Sequence, residues 1–237
     1  MKSLSIDWRR GLVEFVIIVI GVLVALGVDR WNSTGEERAL EREYLERLYR
    51  DVQADTASLG SILAGLEQKQ ESLLFLAELT AIAQRSVSDT AEFLAALSRS
   101  TSYGWIIRPL RTVTFEDLTT TGNLRLIRSA AVRAAAIEYY QNALHRANRV
   151  ERRSTGYADL VYGLVPPGVL PQTGLSSGTD TGEVVDVARV VSVLGTADLR
   201  RQLTAERNYA AFARDRLEIT RNRAIELLEV LRAYLDG

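Results

Sequence analysis

Hydrophobic positions divide the chain into an unbroken apolar run followed by a long stretch of helical periodicity. From Leu12 to Val28 the chain reads LVEFVIIVIGVLVALGV, with Glu14 as its one charge. Such a run predicts a single transmembrane helix of roughly 25 Å, flanked by Trp8 and Trp31 as interfacial anchors about 35 Å apart. Beyond it, Leu45, Val52, Leu59, Leu66 and Leu73 recur at sevens, with Leu48, Ile62 and Leu76 at the alternate heptad position. A seam of this kind needs a partner helix. Leu203, Ala210, Leu217, Ala224 and Leu231 repeat with the same spacing near the other end and supply one. The expected fold class is all-α: one N-terminal transmembrane helix plus an antiparallel bundle of long helices. Residues 1–11 form a short tail, 12–31 the anchor, and 32–237 an extramembrane domain with a Pro/Gly-rich loop at 165–182.

Local signals place the remaining boundaries. Asn32-Ser33-Thr34-Gly35 interrupts the apolar pattern, and Ser33 with Glu36, or Thr34 with Glu37, fits a capping box, so a helix is expected to start there and run to Gln84. Gly60 or Gly65 is a candidate kink. Asp89 should cap a short helix ending near Ser98, and Thr114 another over 115–120 that stops at Gly122-Asn123. Leu124 to Ile127 reads as a connector. Ser129 should cap a long helix from Ala130 to about Leu164. After the loop, helices resume near Glu183, break at Gly195, and end with a helix over 197–234.

The span has its own chemistry. Glu14, Gly21, Ala25 and Val28 share one helical face, and the small pair Gly21 and Ala25 lets two backbones approach closely. That face is either a contact surface for another membrane helix, with Glu14 bonded to a neighbour, or an ordinary lipid-facing surface whose Glu14 reaches the headgroups. A cleaved signal is the competing reading of the segment: Lys2, Arg9 and Arg10 form a basic region, and Ala25-Leu26-Gly27 offers small residues for cleavage. The length of the run and the charge inside it favour retention. The basic N-terminus places that end in the cytoplasm and the helical domain in the periplasm of a bacterial inner membrane, although Arg30, Arg38 and Arg42 lie close behind the helix.

Composition narrows the function classes. The 237 residues carry a net charge of −1, which gives nucleic acid no global field to follow. There is no Cys and a single His, His145, so disulfides, thiolate chemistry and the common zinc ligand sets are absent. No nucleophile–base constellation or phosphate loop is present; neither an enzyme nor a cofactor is expected. Charge is unevenly shared: Glu36 to Glu92 holds twelve acidic and six basic residues, and Arg99 to Arg153 four acidic and ten basic. The two segments suit each other as packing neighbours. Arg146, Arg149, Arg152 and Arg153 form a candidate contact for anionic lipid or an acidic partner. Trp105, Tyr139 and Tyr140 are candidate ligand or interface aromatics.

Four segments together resemble an uncharacterised family of bacterial single-pass membrane proteins with a helical extramembrane domain. They are EFVIIVIGVLVALGVDRWN from Glu14 to Asn32, EREYLERLYRDVQAD from Glu41 to Asp55, TFEDLTTTGNLRLI from Thr114 to Ile127, and the Tyr139-Tyr140 pair. The resemblance implies no reaction or ligand, and it singles out Glu14 and the Gly122 turn. On this reading the chain is a membrane-anchored, non-enzymatic accessory or scaffolding subunit. Its partners are the membrane and other membrane-protein subunits or a homo-oligomer. The alternative is an extracytoplasmic sensory or small-ligand-binding module that acts with a separate signalling partner.

Overall fold

The computed structural model describes residues 8–81, 87–102, 110–151, 155–165, 170 and 185–237. Among them are seven α-helices and one 3₁₀ turn. In chain order these are α1 (Trp8–Ala81), α2 (Thr90–Thr101), α3 (Val113–Thr120), the 3₁₀ turn Asn123–Leu126, α4 (Ala130–Glu151), α5 (Tyr157–Leu164), α6 (Val187–Leu194) and α7 (Ala197–Leu235). An all-α bundle is therefore what forms, built around the two long helices α1 and α7.

The heptad seams explain that pairing. Leu45, Val52, Leu59, Leu66 and Leu73 of α1 are all buried, as are Leu203, Ala210, Leu217, Ala224 and Leu231 of α7. Two polar contacts set an antiparallel register: the Tyr234 hydroxyl donates to Glu41 at 2.9 Å, and Lys69 pairs with Glu206 at 2.5 Å. That register brings Leu45 level with Leu231 and Leu73 level with Leu203, so large residues face large or small ones in alternation along the seam. α4 packs antiparallel on α7, with the Tyr209 hydroxyl donating to the Val150 carbonyl at one end and Arg223 3.5 Å from Glu138 at the other.

The transmembrane anchor is corrected. No helix among the described residues is long and apolar enough to cross a membrane. The single-pass inner-membrane topology, with its cytoplasmic N-terminus and periplasmic domain, falls with it. So does the accessory subunit packed against membrane partners through that helix, and the extracytoplasmic sensor that depended on the same topology. What stands in their place is an all-α domain with extensive internal packing.

Local boundaries also move. α1 does not start at the Ser33 or Thr34 capping boxes but passes straight through them, and through Gly60 and Gly65, as one helix of 74 residues. Ending a helix strands several backbone donors and acceptors, whereas the weak helix formers Asn32, Ser33, Thr34 and Gly35 together cost only about 3 kcal/mol. Extending an existing helix also avoids a second nucleation. Asp89 does cap α2, accepting from the backbone N–H of Ala91 and Glu92, and that helix continues three residues past Ser98. The long helix expected from Ala130 to Leu164 is instead two, because Gly156 turns the chain at a φ of +74° before α5. Ser129 holds the start of α4 as expected, its hydroxyl accepting from the Val132 N–H at 3.2 Å.

Candidate functional site

Two polar clusters lie inside the bundle, and they contain most of its buried ionisable side chains. The first is a clamp that fastens residues 111–128 onto α1. Glu41, Tyr44, Asp51 and Asp55 are spaced by three, seven and four residues, which puts them on one face of α1 beside the apolar seam. Each meets this segment. Glu41 accepts from the Arg128 N–H at 2.6 Å and lies 3.7 Å from its guanidinium. Tyr44 donates to Asp117 at 3.1 Å and accepts from the Asn123 amide at 3.1 Å. Asp51 accepts from the Thr114 hydroxyl, and Asp55 from the Arg111 N–H at 3.1 Å.

The segment folds locally to reach these partners. Thr114 was expected to cap α3, but the helix begins at Val113 and its hydroxyl is spent on Asp51. Gly122 adopts a φ of +73°, the left-handed region that favours glycine, and this turn aims Asn123 back at Tyr44. Leu110, Phe115, Leu118 and Ile127 are buried beneath the polar row, so apolar packing holds the segment as well.

Asp55 sits at the deep end of the clamp, 3% exposed. The Tyr139 hydroxyl donates to it at 3.1 Å. Burial raises the Asp55 pKa above its ordinary value, an effect only partly offset by the Arg111 N–H, Tyr139 and the Arg111 charge. Tyr139 and Tyr140 are pushed well up, first by burial and then by the Asp55 charge. Tyr140 stacks on Phe115 with centroids 4.5 Å apart and meets Tyr139 edge-on at 4.8 Å. Its hydroxyl is buried without a hydrogen-bond partner.

This geometry has a pH signature. Because the folded protein holds the Asp55 proton more tightly than the unfolded chain, stability from this group is fully present below the ordinary value of 3.8. It is lost as pH rises through the raised folded value. An Asp55→Asn substitution keeps the shape and the acceptor for Arg111 without the charge. Urea unfolding followed at a series of acidic to neutral pH values should show wild type losing stability relative to Asp55→Asn as pH rises across that window. Parallel curves for the two proteins would contradict the assignment.

The second cluster ties α1 to α7 through the middle of the bundle. Lys69 and Glu206 are each only 3% exposed at the side chain and form an ion pair. Lys69 also donates to the Ser102 carbonyl at 3.2 Å, and Thr155 donates to Glu206. Nearby, Ser100 and Tyr157 share a hydrogen bond of 3.0 Å. Burial lowers the Lys69 pKa, and the favourable charge of Glu206 recovers only part of that shift. Glu206 drew no notice in the sequence, where it is a charge among many, whereas Lys69, one of only two lysines, stood out as an interruption of the apolar seam of α1 without a partner being legible.

The arrangement binds the chain to itself. Asp55, Lys69, Glu206 and Tyr139 are each engaged with other groups of the protein. Among the described residues, clefts of about 160, 460 and 600 Å³ lie on the surface, and none of these is lined by those side chains. The 600 Å³ cleft lies between Arg38–Leu45 of α1 and Ala233–Gly237 at the end of α7. Among the described residues, no group of three or more His, Cys, Asp or Glu side chains is placed to hold a metal.

The other sequence candidates are scattered. Leu12 and Phe15 to Leu23 are exposed, and among the described residues a Cβ on Gly21 would touch nothing within 4 Å. The side chains of Trp8, Glu14, Ala25, Val28 and Trp31, together with Trp105, Arg152 and Arg153, lie outside the described residues, as does most of the 165–182 loop. Arg149 is exposed, whereas Arg146 is half-buried with one guanidinium nitrogen unpartnered. Tyr139 and Tyr140 are buried against α3 and α1 and line none of the three clefts. His145 is exposed on α4.

Comparisons with known proteins lend no relative. No family model, curated protein or solved structure matches the chain. The resemblance to a family of single-pass membrane proteins is accordingly not upheld, since its most specific element was the anchor.

Proposed function

We propose that this chain is a non-catalytic helical spacer, in which the bundle fixes the direction of α1 and α1 carries that direction outward. One observation carries the reading. α1 is unbroken from Trp8 to Ala81, yet its first buried described side chain is Glu41. About 50 Å of helix lies N-terminal to Glu41, out of a total of about 110 Å, and its described side chains are exposed or half-exposed. An isolated helix is marginal in water because nucleation is unfavourable. Here the bundle supplies the nucleus, and the arm propagates from it. The clamp supports the same reading, since its first contact, Glu41 with Arg128, holds the base of the arm in one register.

A spacer depends on its length. Deleting Thr34 to Leu40 removes seven residues, whose described side chains are exposed or half-exposed. The arm shortens by about 10 Å while the helical face turns by only about 20°. Placed at the native locus, the shortened gene should reproduce the phenotype of a complete deletion while the purified protein unfolds at the wild-type urea midpoint. Full function from the shortened chain would refute the spacer and place the activity on the bundle surface.

A further inference from the structure

We draw no further inference here: the strongest candidate, the exposed apolar stretch of α1 from Phe15 to Leu23, carries nothing because nothing in the structure shows what covers it.

Discussion

Lys69→Met should destabilise the bundle by about 3–5 kcal/mol, and the double variant Lys69→Met, Glu206→Leu should recover most or all of that loss. The pair is closed off from water on both sides, with each side chain 3% exposed. Removing the cation alone leaves the buried Glu206 carboxyl without its ion-pair partner, and among the described residues the Thr155 hydroxyl is the donor that remains. Removing both charges abolishes the desolvation cost, and apolar side chains of similar volume can then pack between α1 and α7. The lowered Lys69 pKa points the same way: even opposite Glu206, burial disfavours the charged ammonium. Urea unfolding of the wild type, both single variants and the double closes the cycle. If the double variant were as unstable as the sum of the singles, the two residues would not be coupled. The pair would then not explain the register of the long helices.

The second large effect lies in the apolar seam. Leu73 and Leu74 are neighbours of identical chemistry, but Leu73 is fully buried and Leu74 is 46% exposed. Leu73→Ala removes buried methyl groups and leaves a cavity between α1 and its neighbours, which costs about 2–5 kcal/mol. Leu74→Ala should change stability by less than about 1 kcal/mol, because its side chain already meets water and Ala is the better helix former. Equal effects at the two positions would mean that α1 does not present the Leu45–Leu73 face to α7.

That seam was the most legible feature of the sequence. A heptad repeat survives translation into structure because burial selects the same residue type every two turns, and both repeats are buried throughout. Caps written in short side chains read well where a helix truly starts, as at Asp89 and Ser129. The same signals misled at Ser33 and Thr34, where capping chemistry is present but the helix on either side is continuous. A cap competes with propagation, and a local motif does not reveal which prevails. Gly156 marks the opposite failure, a single glycine that splits the expected 130–164 helix.

The polar interior was much less readable. Asp55, Lys69 and Glu206 join residues far apart in the chain, and Asp55 and Lys69 look in sequence like mere interruptions of a seam. Thr114 misled for a related reason, because its hydroxyl is spent on Asp51 in another helix rather than on its own helix end. The apolar run of 12–28 drew the opposite error. Composition there outweighed every other cue, and the topology and partners inferred from it fail together.

The most direct test of the spacer is a distance. The chain has no Cys, so paired labels can be placed without background. Spin labels at exposed Glu37 in the arm and exposed Arg201 at the start of α7 report the arm against the bundle. Pulsed electron–electron resonance should return one narrow distance distribution, unchanged in the Lys69→Met, Glu206→Leu background. A broad or multimodal distribution would show that α1 bends where it leaves the bundle, and the proposed role would not survive it.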